Sequence, residues 1–385
     1  MIIVPIKVLL AEDSTFQRKL VTNMLLSSDE IAKVDIAING REVIEKIETI
    51  NPDVLILDLM MPEVDGITVF KFLSEHYPIP TIIFTSKSPE TLDDSVQALL
   101  LGAFDFIVKP KGVWKKEFPK LKEKLILSTL YASKIKKTYE KRNLLIKKSI
   151  KKTFDSTIDS AEYQITKKPK TKIEKIPKKK PIPKARFKSN AIVIGTSTGG
   201  PKTLRTILKD IPKNFPMPIL VVQHLDAFFM KELTKSLNEI CNIEVKIPVN
   251  GEKILPGITY LSPGGKHMEV VERNNQQFIR IVDGEPVNFC MPSVDVLFLS
   301  AAKVYKSQIL GILLTGLGQD GAAGLEAIKK NGGQTIAESE QTCVVFGMPK
   351  AAIKRGAAKL IVPNYEIKDQ MLKFASNYSI SQDEI

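Results

Sequence analysis

A lysine- and proline-rich stretch divides this 385-residue chain and limits how it can fold. Residues 134–188 contain 20 Lys and Arg but five Asp and Glu, and they end in the run KKPKTKIEKIPKKKPIPKARFK. This composition offers too few apolar residues for a core and is typical of an extended, solvated linker. We therefore expect two folded domains joined by a basic tether over residues 132–188.

The charge of the chain comes almost entirely from this stretch. The formal charge is +13, whereas residues 134–188 alone carry +15, so the flanking domains are close to neutral. This favours a solubilising spacer over a basic arm that docks on an acidic surface or on nucleic acid. The N-terminal run MIIVPIKVLL is short, is interrupted by Pro5 and Lys7, and fits neither a signal peptide nor a membrane span. We expect a cytoplasmic protein with no nucleic-acid partner and no direct membrane insertion.

The three cysteines of the chain are widely spaced. Cys241, Cys290 and Cys343 form no CxxC pair. This spacing argues against a disulfide framework and against a zinc site of the usual sequence pattern. We expect reduced thiols packed in the interior.

The first domain, expected over residues 1–131, contains five apolar runs of strand length separated by segments of helical length. Such alternation predicts an α/β fold with a parallel sheet and helices on both faces. The predicted strands are Lys7–Ala11, Val34–Ile38, Val54–Leu57, Thr81–Thr85 and Asp105–Val108.

Polar residues stand where four of these strands end. Glu12 and Asp13 follow the first strand, Asp58 the third, Thr85 closes the fourth, and Lys109 follows the fifth. Three neighbouring carboxylates repel one another unless a divalent cation lies among them, and oxygen ligands favour Mg²⁺. Each residue alone is better explained as a helix cap or a surface charge, but the ordered set LLAEDS, LDLMMPEVDG, FTS and VKP is highly specific. The set predicts phosphoryl transfer to Asp58, with Thr85 and Lys109 contacting the transferred oxygens.

The second domain, expected over residues 189–379 with a tail at 380–385, opens on the sequence AIVIGTSTGGP. A strand here runs into a glycine-rich turn and then a helix, which places Ser197 at the sheet edge where open α/β folds carry their chemistry. Three interpretations compete: a nucleophilic serine, a phosphate-binding loop, and a plain helix cap by Ser197 or Thr198. Later alternation, with a hairpin turning at Asn274 and Asn275, predicts a second doubly wound, mostly parallel α/β sheet.

Only three histidines are available as a general base. His76 is best explained as a surface residue, and His267 lies in a glycine-rich loop that could line a cleft. His224 ends the strand PILVVQH and emerges at the same sheet edge as Ser197, so it is the better base. Asp320, in LLTGLGQDGAAG, shares this edge and either orients the histidine or caps the next helix.

The ordered motifs of the first domain resemble those of response-regulator receiver domains over essentially its full length. The resemblance implies a flavodoxin-like fold and phosphorylation of Asp58 by a chemotaxis histidine kinase, with Mg²⁺ held by the carboxylates described above. It also implies a switch centred on Thr85. Either Phe104 or Phe106 stands near the position that a switch aromatic usually holds.

The second domain is similar nearly end to end to the CheB methylesterase family, through IGTSTGGP, VVQH, PSVDVLF, LLTGLGQDGAAG and CVVFGMPKAAI. The resemblance implies a serine esterase that hydrolyses γ-glutamyl methyl esters on methyl-accepting chemotaxis receptors and releases methanol, often with glutamine deamidation as well. No cofactor is expected for the esterase. Carried over by motif, Ser197 is the nucleophile, His224 the base and Asp320 its orienting partner.

Two glycine-rich turns supply candidate donors for an oxyanion. These are the backbone N–H groups of Thr198 and Gly199 in the first turn and of Leu317 in the second. Leu317 stands where the family usually has Met, and Gln319 stands where it usually has Asn. The change at Leu317 leaves its backbone donor in place.

The combined expectation is a monomeric, phosphorylation-gated esterase for chemotactic adaptation, in which the unphosphorylated receiver covers the catalytic cleft. The alternative is a non-catalytic regulator whose second domain binds a partner while Ser197 only caps a helix. The sequence GTSTGG lacks both the GxGxxG spacing and the Lys-Ser/Thr pair of nucleotide-binding loops, and no helix-turn-helix is recognisable.

Overall fold

The computed structural model describes residues 5–86, 88–110, 118–136 and 190–380. Most of the expected linker lies outside these residues. The described residues form two α/β domains, each built on a parallel sheet, and the second also carries a two-stranded antiparallel hairpin. The predicted fold class is thereby confirmed. None of the described helices is long and apolar enough to cross a membrane.

The first domain is a five-stranded parallel sheet in the order β2-β1-β3-β4-β5, the flavodoxin-like order. Its strands are Ile6–Ala11 (β1), Ile31–Ala37 (β2), Val54–Leu57 (β3), Thr81–Ser86 (β4) and Asp105–Lys109 (β5). Its helices are Thr15–Leu25 (α1), Gly40–Ile50 (α2), Gly66–His76 (α3), Pro89–Leu101 (α4) and residues 118–136 (α5). Because Ala132 is fully buried in the core of this domain, the last turns of α5 belong with the receiver rather than with the linker expected from residue 132.

The second domain is a seven-stranded sheet in the order β14-β13-β12-β6-β7-β9-β8, with every pair of neighbours parallel. Its strands are Ala191–Thr196 (β6), Ile219–Gln223 (β7), Glu244–Lys246 (β8), Ile258–Leu261 (β9), His267–Arg273 (β10), Gln276–Val282 (β11), Ile309–Leu313 (β12), Gln334–Glu338 (β13) and Leu360–Val362 (β14). Its helices are Gly200–Leu208 (α6), Ala227–Ile240 (α7), Val294–Tyr305 (α8), Ala322–Lys330 (α9), Met348–Lys354 (α10) and Asn364–Ile380 (α11).

The central strand β6 has an almost entirely apolar sequence because it is buried. All six residues of AIVIGT are buried, as expected for a parallel strand covered on both faces. A Cβ at Gly195 would lie 2.2 Å from a methyl carbon of Val294 in α8. Glycine here lets α8 pack closely on the strand that leads into the Ser197 turn.

The hairpin β10–β11 is confirmed where the sequence predicted it. Asn274 and Asn275 occupy the turn with φ of 52° and 59°, the left-handed pair that a type I′ turn requires. Strand β8 is short and covers only Glu244–Lys246. Pro248 follows it and cannot donate a ladder hydrogen bond, so the pairing stops before this residue.

The two domains pack directly on one another. Helix α4 of the receiver contacts α6 and α7. The ring of Phe106 in β5 lies 4.3 Å from the ring of Phe229 in α7, centroid to centroid, and both residues belong to one buried apolar cluster. The Arg205 guanidinium of α6 donates to the carbonyl of Leu100 at the end of α4 at 3.5 Å. The α4–β5 face of the receiver is therefore covered by the second domain.

Candidate active site

Ser197, His224 and Asp320 all lie at the carboxyl edge of the second sheet. They follow β6, β7 and β12, which are neighbours with β6 in the middle. The backbone N–H of Ser197 donates to Thr315 at 3.0 Å, and that of His224 donates to Thr196 at 3.1 Å. These bonds extend the sheet pairing past the strands and fix both turns.

His224 and Asp320 are in direct contact. The Nε2 atom of His224 lies 2.8 Å from Oδ2 of Asp320, and the two side chains are 13% and 2% exposed. Burial by itself disfavours the charged imidazole, but the hydrogen bonds to Asp320 and Cys290 raise the pKa of His224 to about 9. Burial likewise works against the Asp320 carboxylate, yet its hydrogen bonds from His224 and Asn288 hold its pKa below the usual range. The contact favours an imidazolium next to a carboxylate.

Asp320 also binds the N-terminus of α8. It accepts hydrogen bonds from the Ser293 hydroxyl at 2.8 Å and from the backbone N–H groups of Val294 at 2.7 Å and Asp295 at 3.2 Å. The Asn288 side chain donates to it at 2.9 Å. These donors hold the carboxylate in one orientation, and the start of a helix favours a negative charge. The sequence did not predict that Asp320 binds the N-terminus of α8, because α8 begins far from Asp320 along the chain.

The expectation that Asp320 might cap the helix next to it in sequence is wrong. The N-cap of α9 is Gly321, which has a φ of 86° and makes no side-chain cap hydrogen bond. A glycine at this left-handed position turns the chain so sharply that the Asp320 side chain points away from α9 and towards α8.

Cys290 lies on the other side of the imidazole. Its Sγ atom is 3.6 Å from Nδ1 of His224, and the residue is partly exposed. Cys343 is buried as expected, whereas Cys241 and Cys290 are partly exposed, and Cys241 still packs against the apolar core. Cys290 follows a tight turn in which Asn288 and Phe289 have φ of 53° and 63°, and no strand-end pattern could have placed it beside His224.

The hydroxyl of Ser197 makes no hydrogen bond to His224 in the described part of the chain. The two residues are instead connected through Gln223, whose side-chain amide donates to the Ser197 carbonyl at 3.0 Å and to the His224 carbonyl at 3.2 Å. Gln223 is buried as the last residue of β7. It is a positioning residue that the sequence patterns missed, although its place directly before His224 was a usable signal.

The turns around Ser197 present backbone donors towards the site. Among the described residues, the N–H groups of Thr198, Gly199 and Leu317 donate to no protein acceptor. Gly199 starts α6 in the left-handed region, with φ of 80°. These three groups are free to bind a negatively charged oxygen.

Receiver residues reach this part of the site. A small cavity at the domain boundary is lined by Thr198 and Leu317 of the second domain and by Phe104, Asp105 and Ser128 of the receiver, among others. The receiver therefore lies against both of the turns that hold the candidate oxyanion donors.

In the described part of the chain, the remaining two histidines make no direct hydrogen bond to Ser197, His224 or Asp320. His76 is exposed and stacks on Phe72. His267 is 4% exposed, and its ring nitrogens bond the Glu285 carbonyl and the Ser293 N–H. It therefore holds the chain that leads into α8.

The receiver sheet carries the second predicted cluster. One carboxylate oxygen each from Glu12, Asp13 and Asp58 lie within 4.8 Å of one another. The Lys109 ammonium contacts Glu12 at 2.7 Å and Asp58 at 2.6 Å. Burial raises the pKa of both of these carboxyl groups, and the Lys109 ammonium opposes that rise. One ammonium does not balance three carboxylates, so the oxygen-only cluster fits a hard divalent cation such as Mg²⁺.

The predicted switch residues of the receiver are all buried. Thr85 is inaccessible at the end of β4. Phe104 packs in the receiver core, whereas Phe106 packs on Phe229 of the second domain. Both aromatic candidates reach the second domain, Phe106 through its ring contact with Phe229 and Phe104 at the boundary cavity beside Thr198 and Leu317.

Comparison with known proteins gives consistent matches. A family model described as CheB methylesterase matches residues 192–371, and one described as response regulator receiver domain matches residues 8–115. A protein of Archaeoglobus fulgidus named protein-glutamate methylesterase/protein-glutamine glutaminase is 38% identical over 368 residues, which cover 96% of this chain and 97% of the relative. A protein of Halalkalibacterium halodurans with the same name is 39% identical over 352 residues, 91% of this chain and 92% of the relative.

A solved structure of the Thermotoga maritima CheB methylesterase catalytic domain is 40% identical and covers 48% of this chain and 98% of its own, with a TM-score of 0.47. The full-length relatives match both domains of the chain in one alignment. The resemblance seen in the sequence is confirmed: this chain, a receiver domain followed by a CheB methylesterase domain, belongs to the protein-glutamate methylesterase/protein-glutamine glutaminase family.

Proposed function

We propose that this protein is a phosphorylation-regulated serine esterase that hydrolyses glutamate γ-methyl esters on methyl-accepting chemotaxis receptors, and that it also deamidates receptor glutamines. The observation that carries this proposal is the buried His224–Asp320 pair next to the Ser197 turn. Full-length relatives named for both activities support it. The protein would act in the cytoplasm as a monomer, without nucleic acid and without membrane insertion.

In this mechanism the base is the Nδ1 atom of His224, because Asp320 occupies Nε2. The Ser197 oxygen bonds to the ester carbonyl carbon while Nδ1 accepts the serine proton. The N–H groups of Thr198, Gly199 and Leu317 bind the oxyanion that forms. Methanol leaves with the proton from Nδ1, and water then hydrolyses the acyl-enzyme with His224 again as base.

The geometry also offers a second nucleophile. The Cys290 sulfur, not the Ser197 oxygen, is the atom that hydrogen-bonds Nδ1. Ser197 remains the better assignment because its turn carries the free N–H donors, whereas Cys290 sits on a turn whose backbone groups bond each other, from Val287 N–H to the Cys290 carbonyl and back. Catalytic hydrogen bonds often form fully only when substrate binds, and we expect this for the Ser197 hydroxyl and Nδ1 of His224.

For the receiver, we propose that a chemotaxis histidine kinase supplies the phosphoryl group to Asp58. Glu12, Asp13 and Asp58 would hold Mg²⁺, which when bound neutralises the charge of the incoming phosphoryl group. The Lys109 ammonium, now on Asp58, and the Thr85 hydroxyl would contact the transferred oxygens. The esterase site is proposed to need no cofactor.

Gating follows from the packing of the receiver on the site. In the unphosphorylated state the receiver covers the cleft. It is held there by the contact of Phe106 with Phe229 and by the receiver residues that lie beside Thr198 and Leu317. When Asp58 is phosphorylated, the Lys109 ammonium binds phosphoryl oxygens in place of the Asp58 carboxylate. Lys109 is the last residue of β5, so its movement is transmitted along this strand to Phe106.

The proposal is tested by methanol release from methylated receptor membranes with the full-length protein, with and without a small phosphodonor. We expect release that the phosphodonor stimulates in wild type but not in Asp58→Asn. Equal stimulation of both proteins would contradict the gating, and no methanol from phosphorylated wild type would contradict the esterase assignment.

A further inference from the structure

The surroundings of His224 hold a group of metal-ligating side chains of mixed type. Within the described residues, one ligand atom each from His224, Cys290 and Asp320 lie within 4.8 Å of one another. The other such group consists of the receiver carboxylates, which are hard oxygen ligands. Nitrogen and thiolate sulfur together favour a softer ion such as Zn²⁺. We propose that His224 and Cys290 form a zinc-binding site and that Zn²⁺ bound there inhibits the esterase.

The distance between the two ligands fits a shared ion. Zinc binds histidine nitrogen at about 2.0–2.1 Å and cysteine sulfur at about 2.3 Å in tetrahedral geometry, which places the two ligand atoms about 3.6 Å apart. The Nδ1 atom of His224 and the Sγ atom of Cys290 are 3.6 Å apart. An ion can therefore replace the proton between them without a large movement of either side chain.

Asp320 completes the arrangement from the second coordination shell. A metal-ligating histidine usually donates its other ring N–H to a carboxylate, which fixes the ring and raises its basicity. Here Nε2 faces the Asp320 carboxylate at 2.8 Å, and the carboxylate is itself held by the start of α8. In the neutral imidazole this contact keeps the ring proton on Nε2, which leaves the Nδ1 lone pair directed at the thiol.

No sequence pattern predicts this site. His224 and Cys290 are 66 residues apart and belong to no paired motif. Both side chains are partly exposed, so solvent molecules can supply the remaining ligands. The inhibition by zinc rests on the proposed function, because an ion on Nδ1 takes the lone pair that would accept the serine proton. The binding of zinc is independent of the proposed function.

Binding is tested with Co²⁺ as a spectroscopic substitute for Zn²⁺, on the full-length reduced protein in excess Mg²⁺. We expect a thiolate-to-cobalt charge-transfer absorption that saturates at one equivalent in wild type and disappears when Zn²⁺ is added. Cys290→Ser should abolish the band, whereas Cys241→Ser, which changes the other partly exposed thiol, should retain it. Circular dichroism on each variant verifies the fold.

Two binding results would overturn the site. One is a wild-type protein with no charge-transfer band at saturating Co²⁺, which needs no variant to interpret. The other is a band that persists in folded Cys290→Ser. Because this measurement requires no turnover, it is independent of the esterase assignment.

Inhibition is tested by methanol release over a series of buffered Zn²⁺ concentrations, each protein being compared with its own zinc-free rate. Loss of an outer-shell partner already weakens metal affinity about 10–100-fold, so Cys290→Ser should raise the inhibitory concentration by about 100-fold or more. Cys241→Ser should leave it unchanged, and a chelator should restore activity. Equal inhibition of Cys290→Ser and wild type would contradict the proposal even where methanol release itself proceeds.

Discussion

The raised pKa of His224 provides a quantitative prediction. Its hydrogen bonds to Asp320 and Cys290 raise the pKa of the imidazole to about 9 in the folded protein, from an ordinary value of 6.5. At about 1.4 kcal/mol per pKa unit, this difference corresponds to about 3 kcal/mol in favour of the protonated folded state. Because the pKa is raised on folding, this stabilisation is fully present below pH 6.5 and is lost as the pH rises to about 9.

Asp320→Asn is the perturbation that isolates this effect. Asparagine keeps the size of the side chain and an acceptor for α8, but it removes the negative charge that stabilises the imidazolium. We expect the His224 pKa to fall by more than one unit in Asp320→Asn. Cys290→Ala, which removes the contributions that rank next after the Asp320 hydrogen bond in raising the pKa, should lower it as well.

The assay is an NMR pH titration of the histidine ring protons, which is tractable because the chain has three histidines. Denaturant unfolding at pH 6.5 and pH 9 measures the linked change in stability, about 3 kcal/mol in wild type and much less in Asp320→Asn. A wild-type His224 that titrates at or below 6.5, or an Asp320→Asn protein with an unchanged pKa, would refute the reasoning. If the neutral imidazole is the base, methanol release should also increase as the pH rises towards 9.

Three further substitutions test the packing around the site. Phe106→Ala removes the ring contact with Phe229, and an aromatic pair is worth about 0.5–1.5 kcal/mol beyond its buried area. Methanol release without phosphodonor should therefore rise several-fold, and an unchanged basal rate would argue that this contact does not help to cover the cleft. Asn288→Ala removes hydrogen bonds to two carboxylates, including that of Asp320 at 2.9 Å. Denaturant unfolding should show a free energy of unfolding that is lower by about 1.5–3 kcal/mol. A change below about 0.5 kcal/mol, the size expected for an ordinary surface substitution, would contradict the assigned contacts. Gly195→Ala forces a methyl against a valine of α8 at 2.2 Å; overpacking of this kind costs about 1–3 kcal/mol, so thermal denaturation should occur at a lower temperature than in wild type.

Much of the fold follows from the sequence because parallel strands buried on both faces appear as short apolar runs. The strand Val54–Leu57 and the hairpin turn at Asn274 and Asn275 are examples in which local chemistry alone determines the structure. Strand ends then predict which side chains share a sheet edge, and Asp320 and His224 do meet at one edge.

What the sequence could not predict depends on irregular turns and on contacts between domains. Cys290 reaches His224 through a left-handed turn that has no strand or helix periodicity. Asp320 caps α8 rather than its neighbouring helix, because Gly321 redirects the chain. The contact of Phe106 with the second domain depends on α7 placing Phe229 against the receiver, which no pattern within either domain contains.

The central claim, that Ser197 is the nucleophile, is tested most directly by single-turnover methanol release from methylated receptors by phosphorylated Ser197→Ala and Cys290→Ala. We predict that Ser197→Ala lowers the rate by at least about 10⁴-fold, as loss of a nucleophile does in other serine hydrolases, while Cys290→Ala retains measurable release that still depends on Ser197. Methanol release that survives in Ser197→Ala and vanishes in Cys290→Ala would contradict the claim and assign the attack to the thiol.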